Sequence, residues 1–477
     1  MNDKCRLRIP RLKVLSDAEL EIIHLSTLEV LRRTGIAVKE PKAVDIFKKL
    51  GCFVDGERIR IPAHLVERAL RSTPPRVAMS DRNGNPAMFL EANNVYFGTG
   101  SDTPHISDLQ TRKRRPAVLK DIENTAKVVD YLPELSFLMC SGIASDVNPK
   151  ISDIFHFEAM VGHTKKPIVF TAWSLENLKA IIRMAEAVAG GAMELRKNPF
   201  IALYTEPISP LTLAAESTQK LMFMAEKALP VVFTPGLLTG GTGPVTAAGG
   251  LVQANAEMLG GYVLAHSIRE GMPFIYGGGV FPIDMATGLL RYAAPEGMLA
   301  TSALTDMAHY YRLPMFSFAG CSDSSIYDEQ AAIEGALWTL LSSLNGGNLV
   351  HDVGYINNGL TTSYEQLVAS NEVISIVRRI TGGFEINEET LALDLIDKVG
   401  PGGEYLTSEH TLKHFKENWS PQVFSRTPYE RWAKEGKKDL AARANEKARE
   451  ILKTHEPRPL EAGLQSELRR IVKSMDK

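Results

Sequence analysis

Four cysteines are all that this chain of 477 residues carries, and none of them forms a CxxC pair. Cys5, Cys52, Cys140 and Cys321 are too few and too scattered for a disulfide framework. A chain of this length builds its core without staples, so free thiols in a reducing compartment are expected. Long apolar runs are missing as well. The longest stretch of small residues, 245–268, is interrupted by Gln253, Asn255 and Glu257 and reads as a packed helix, so no membrane span is expected. The opening MNDKCRLRIPRLKVL lacks the continuous apolar segment of a signal peptide, which makes the cytoplasm the expected location. Excess charge of either sign is absent too. Lys and Arg number 54 against 56 Asp and Glu, a net charge of -2, which gives no general attraction for nucleic acid. At 44% hydrophobic and 23% charged residues, the composition excludes a disordered or fibrous chain.

Common cofactor signatures are also lacking. The first apolar strand leads into GTGSDTPH, which is not the GxGxxG of a dinucleotide fold. Gly240-Gly241-Thr242-Gly243-Pro244 has no following Lys and fails as a Walker loop. It remains open as an anion nest or a plain turn. No DxHxxG corrinoid-ligand pattern occurs; His351-Asp352-Val353-Gly354 has the wrong order. Cys140, Cys321 and His351 lie at strand ends, but their spacing does not define zinc, and no metal site is expected. His156 and His163 lie seven apart on one helical stretch and read as outer-face histidines.

What is present is alternation. Residues 1–90 read as an α/β cap. Ser16 with Glu19 starts a helix that stops at Gly35, and hairpins are expected around Asp55-Gly56 and Asn83-Gly84-Asn85. From there, eight short apolar runs alternate with helical stretches: 95–99, 136–142, 167–172, 200–205, 230–235, 273–278, 315–320 and 349–353. Eight strand–helix units predict a parallel (β/α)8 barrel over 91–385, with an open doubly wound sheet as competitor. Residues 386–477 form a helical extension. Its stripe of Leu440, Ala444, Ala448 and Leu452 packs on the body or on another subunit, and a homo-oligomer is expected.

In a barrel, function belongs at the C-terminal strand ends. Those ends carry Tyr96, the 98–102 loop, Ser141, Trp173, Tyr204, Glu206, Thr234, Tyr276, the Asp323 loop and His351 with Asp352. They are rich in aromatic and acidic groups and poor in Lys and Arg, which suits a cation better than a phosphorylated sugar.

Several stretches carry a resemblance: 241–279 (GTGPVTAAGGLVQANAEMLGGYVLAHSIREGMPFIYGGG), FPIDMATGLLRYAAPE, DSSIYDEQAAIEGA, LALDLIDKVGPGGEYL and HTLKHF. Over nearly the whole chain, from about residue 16 to beyond residue 420, it resembles the trimethylamine methyltransferase superfamily. The resemblance implies a TIM barrel that transfers a methyl group from an amine to the cobalt of a separate corrinoid protein. Archaeal founding members carry pyrrolysine. This chain contains only standard residues and resembles the non-pyrrolysine branch, whose members act on quaternary amines such as glycine betaine. The pyrrolysine position is expected between Cys321 and Gln330.

A quaternary ammonium already has a neutral amine as its leaving group, so in-line attack by Co(I) needs position, desolvation and a cage rather than a proton donor. Its charge fades in the transition state, which favours aromatic faces, worth ~0.5–2 kcal/mol each, over a carboxylate in direct contact. The cage candidates are Tyr96, Trp173, Tyr204, Tyr276, His351 and Tyr355, with Glu206 and Asp323 further out. Gly-rich loops, His351 or Asn357 are the candidate donors to a betaine carboxylate. No catalytic residue is singled out. The cofactor expected is a corrinoid (cobalamin) supplied by the partner protein, none being bound permanently. The competing functions are a zinc-dependent barrel methyltransferase for an alcohol or thiol, and a non-catalytic betaine-binding protein.

Overall fold

The computed structural model describes residues 11–476; Cys5 lies outside them. Eight parallel strands form one sheet: β1 (Tyr96–Gly98), β2 (Leu135–Phe137), β3 (Ile168–Phe170), β4 (Ile201–Thr205), β5 (Val231–Phe233), β6 (Phe274–Gly277), β7 (Met315–Phe318) and β8 (Leu349–His351). Their spatial order is β3-β4-β5-β6-β7-β8-β1-β2. A parallel bridge from Leu138 to Ile168 joins the two ends and closes the barrel. Each expected apolar run contributes one strand, and an open sheet is excluded. Buried on both faces, these strands are continuous apolar runs rather than alternating ones.

The helices between them are α1 (Leu119–Tyr131), α2 (Ser152–His163), α3 (Leu175–Ala189), α4 (Ala215–Lys227), α5 (Ala247–Ile268), α6 (Pro295–Tyr310), α7 (Glu329–Asn345) and α8 (Tyr364–Thr381). Three start on a side-chain cap: Ser174 accepts from Asn177 N–H, Asp328 from Ala331 N–H and Ser363 from Gln366 N–H. The stretch 245–268 is a helix buried along most of its length, as its small residues require. Gly261 lies on the ring of Phe233, where a Cβ would come within 2.3 Å.

The barrel floor is plugged by the hairpin Val77–Ser80 with Pro86–Leu90. Its Val77, Met79, Met88 and Leu90 join inward-pointing Phe137, Val169, Ala202, Val232, Ile275, Phe316 and Leu349 in one apolar cluster. Burial of each such side chain contributes ~1.5–3 kcal/mol. The N-terminal helix Asp17–Glu29 carries the expected capping box, with Ser16 N–H donating to Glu19 at 2.8 Å. It packs against α5, and the strand Ile36–Val38 pairs with Thr212–Leu213 from the loop after β4.

At the opposite end, two small sheets raise the barrel wall. Gly236–Thr239 pairs with Gly279–Pro282 above β5 and β6. Tyr355–Ile356, Thr361–Thr362, His105–Ser107 and Arg114–Pro116 form the other.

The helix Leu440–Thr454 buries Ala444, Ala448 and Ile451 and lies against α8 and α1. Helix Ala462–Met475 lies against α3 and α2. Of the two placements open for this apolar stripe, the body or another subunit, the structure takes the first: it is spent on the chain's own barrel helices. Among the described residues, no helix is long and apolar enough to cross a membrane.

Candidate active site

β8 ends on His351 and continues into Asp352, whose φ of 74° lies in the left-handed region. Successive strand residues face opposite sides; this reversal instead turns the Asp352 carboxylate back onto its neighbour. His351 Nδ1 is 2.5 Å from Asp352 Oδ1. The second carboxylate oxygen of Asp352 accepts from the phenol of Tyr292. The His351 ring stacks on Phe316 at 3.9 Å and touches Phe318 at 4.4 Å. Its Nε2 is buried and has no hydrogen-bond partner among the described residues. A buried polar atom without a partner costs free energy unless a ligand satisfies it.

Aromatic rings surround this imidazole. Tyr204 lies 6.5 Å from His351 and 5.6 Å from Phe316. Tyr292 lies 5.9 Å from Phe318 and 4.9 Å from Phe281. Tyr355 donates its hydroxyl to Ser101 O at 2.5 Å. Gly100 makes this crowding possible: a Cβ there would sit 2.2 Å from Asp352 Oδ1 and 2.3 Å from Tyr355 Cζ.

Three carboxylates line the same space. Asp352 is shared between His351 and Tyr292, and Glu206 accepts from the Tyr204 hydroxyl. Asp102, with φ of 63°, donates its N–H to Cys140 O at 2.6 Å. Enclosure in the mouth pushes the Asp102 carboxyl up to about 6, against hydrogen bonds from Thr171 and Ser101; Asp153 and Glu206 add to the rise. Glu206 opens to water in the funnel but is walled by protein. That enclosure raises its carboxyl, opposed by the Tyr204 hydrogen bond and Lys220. Burial, then nearby carboxylates, raise the Tyr204, Tyr292 and Tyr355 phenols, so all three remain protonated donors at neutral pH. Lys220 is lowered chiefly by burial, and its ammonium is already bound to Ala172 O at 2.6 Å.

Of the residues expected at the site, Tyr204, Glu206, His351 and Tyr355 come together. Trp173 sits on the rim, about half exposed, with its indole N–H on Ser152 Oγ at 2.9 Å. Asp323 does not line the mouth. Its carboxylate accepts the N–H groups of Tyr292 and Ala293 at 3.0 and 3.1 Å, which fixes the loop that delivers Tyr292.

Two residues lie elsewhere. β1 does pair with β8, but in register Tyr96 lies opposite Leu349, below His351. Tyr96 therefore joins the floor cluster, where its hydroxyl accepts from Phe89 N–H at 3.2 Å. Tyr276 is fully buried behind the sheet, because Ile275 takes the inward position on β6. Its hydroxyl donates to Asn255 Oδ1 on α5 at 3.1 Å.

Sequence reading did not single out Tyr292, Phe316 or Phe318 as site residues, and reached Asp102 only as the last residue of the 98–102 loop. Tyr292 stands in the quoted FPIDMATGLLRYAAPE stretch, which was its one available signal.

Asn357 N–H donates to Ser324 O at 2.7 Å and its amide to Thr361 Oγ1 at 3.4 Å. The Gly240–Gly243 turn is no anion nest, since the N–H groups of Gly241, Thr242 and Gly243 all point to Leu238 O. His156 is buried rather than on an outer face, and its Nε2 accepts from Ala144 N–H at 3.1 Å. It comes near Asp102 and Cys140, with one donor atom of each within 4.8 Å of the others. Burial holds His156 down at about 4 and pushes the Cys140 thiol up, and Cys140 Sγ donates to Gly142 O at 2.9 Å. These donors are thus engaged within the protein, and Cys321 and His351 are not part of the group.

The mouth of this closed parallel barrel gathers phenols, aromatic rings and carboxylates around one imidazole. The family model for trimethylamine methyltransferase (MTTB) matches residues 2–476. The chain is similar to "Trimethylamine methyltransferase MttB" of Desulfitobacterium hafniense (strain DSM 10664 / DCB-2), 31% identical over 97% of this chain and 93% of that one. It is 29% identical to "Glycine betaine methyltransferase" of Desulfitobacterium hafniense (strain Y51), over 97% of each chain. A solved structure, that of the Methanosarcina barkeri monomethylamine methyltransferase, covers 94% of this chain and 95% of its own at 11% identity and a TM-score of 0.48. The chain belongs to the trimethylamine methyltransferase family and is a methyltransferase.

Proposed function

We propose that this enzyme moves a methyl group from a quaternary amine of the betaine class, such as glycine betaine, to the Co(I) centre of a corrinoid carried by a separate protein. The observation that carries the reading is the unpartnered, buried Nε2 of His351, set among the rings of Tyr204, Phe316 and Phe318. The rings take the trimethylammonium head, and Nε2 meets the substrate carboxylate by gaining a proton as the substrate binds, since Nδ1–H is already given to Asp352. Membership of a family that includes a chain named for glycine betaine supports the substrate class.

The carboxylates in this mouth are not bare. Tyr204 holds Glu206, and Tyr292 and His351 hold Asp352. Their negative charge is spread into hydrogen bonds, so they raise the cation's local concentration without clamping it in the ground state. The methyl leaves with the C–N electron pair staying on nitrogen, which becomes a neutral tertiary amine and needs no proton. The residues' work is to bind, orient and exclude water. The corrinoid is a second substrate, and the loops after β3 to β8 form the face to which its carrier docks.

The test is methylation of cob(I)alamin by the purified chain with a panel of quaternary and tertiary amines, followed by the visible spectrum. Methyl-cobalt formation with betaines and not with trimethylamine is expected. Efficient demethylation without any corrinoid, with water or a thiol as acceptor, would refute the assignment. The same assay tests one rival, a zinc-dependent transfer from an alcohol or thiol. Stoichiometric zinc that is required for turnover would favour that rival.

A further inference from the structure

We propose that the segment 384–417 is an arm that seats in an apolar groove between α7 and α8 of a second copy of this chain, in a two-fold exchange. The arm holds three short helices, Glu388–Leu391, Leu393–Val399 and Glu409–His414, and none of them buries a single residue. Helices this short do not persist alone in water. Their large apolar side chains face solvent: Phe384, Ile386, Leu393, Leu406, Leu412 and Phe415 are each at least half exposed. With six large apolar side chains half or more open, the arm offers on the order of several hundred Å² of unburied apolar surface. A stable interface needs about 800 Å² per partner.

The arm is nevertheless preorganised. Glu389 ties it across its own width to Lys413 and, at 3.4 Å, to His414. Both of its roots are fixed. It leaves at the end of α8, and it returns where Glu372 on α8 accepts the N–H groups of Gln422, Val423 and Phe424 at 2.7–3.3 Å. Trp419 Nε1 adds a hydrogen bond to Ser375 Oγ at 2.8 Å. The segment thus projects as a shaped loop rather than as a loose tail.

The groove lies beside those roots. It is lined by Ile333, Ala336 and Leu340 from α7, Val373 and Ile376 from α8, and Phe424. Its lining is almost wholly apolar, and the arm of the same chain leaves it open. One chain therefore carries two apolar surfaces, neither covering the other, with one adjoining the base of the other. A two-fold axis beside α8 buries both at once, because an isologous contact pairs each surface with its complement on the other copy. A second copy satisfies arm and groove in one step because it carries both.

Light scattering behind size exclusion tests this with the full chain. The wild type is expected as a dimer or a multiple of it. Leu393→Asp with Leu406→Asp in the arm, and separately Ile333→Asp in the groove, are each expected to give monomer with an unchanged far-ultraviolet spectrum. Hydrogen exchange on dilution provides the second readout: 384–417 and the exposed faces of α7 and α8 should lose protection together. A monomeric wild type, dimers that survive both sets of substitutions, or protection lost at some other surface would each overturn the proposal.

Discussion

His351 and Asp352 are neighbours in the chain and also partners in space, with Nδ1 2.5 Å from Oδ1. A strand forbids such a contact between successive residues. The left-handed φ of Asp352 permits it, and the Tyr292 hydroxyl on the other carboxylate oxygen locks it. With Nδ1 committed to Asp352, Nε2 is the atom left to face a ligand. His351→Gln is therefore expected to raise KM for a betaine by about 10- to 100-fold, the worth of a charge-assisted hydrogen bond. It should change KM for tetramethylammonium, which has no carboxylate, by less than threefold. Equal losses on both substrates in steady-state kinetics would remove His351 from carboxylate recognition.

Gly100 tests the packing of the site without touching a polar group. A methyl at this position would overlap Asp352 Oδ1 and the Tyr355 ring. Gly100→Ala must displace one of them, and either movement unseats Asp352 from His351 or Tyr355 from Ser101. A fall of at least 100-fold in kcat/KM is expected, because a misplacement of about 1 Å costs that much. The far-ultraviolet spectrum should be unchanged.

Asp102 makes the site sensitive to pH. Its carboxyl titrates near 6 in the folded chain, above the usual carboxylate range. Below pH 6 it gains a proton, the mouth loses a negative charge, and KM for the cation should rise. Asp102→Asn should flatten that profile. The stability effect has the opposite sense. Between about pH 4 and 6 the folded chain retains a proton that the unfolded chain has released, so stability falls as pH rises through this window. Above it the enclosed charge is a cost, and Asp102→Asn should raise Tm at pH 7.5, by on the order of 1–2 kcal/mol in stability. A variant less stable at pH 7.5 yet unaltered in KM would contradict both arguments.

The barrel was legible because its parallel strands are buried on both faces, so each appears as a short apolar run such as 230–235 between helical stretches. The site was legible only where a functional side chain stands at a strand end. Tyr204 and His351 do. Tyr96 and Tyr276 have the same look in sequence, but register places one on the floor and two-residue alternation turns the other outward. Neither property is fixed by residue type. Tyr292 was hidden for the opposite reason. It comes in from a loop set by the Gly236–Thr239 and Gly279–Pro282 ladder and by Asp323, and no local pattern signals where such a loop ends up. Asp352 was visible as a strand-end acid, but its pairing with His351 depends on one backbone dihedral.

The rim of the mouth should govern the partner and not the amine. Val245 and Met285 belong to the loops after β5 and β6, and 70% and 74% of their surfaces are exposed. Leu289, on the loop of Met285, and Trp173 and Ile208, on the loops after β3 and β4, are exposed as well. A corrinoid carrier that covers the mouth would strip these apolar side chains of water. Val245→Asp and Met285→Asp are expected to raise KM for the corrinoid protein about tenfold each. KM for the quaternary amine should stay the same, as should the rate with free cob(I)alamin, which needs no docking protein. A loss that appears equally with free cob(I)alamin would place these side chains in the reaction itself and remove them from the docking surface.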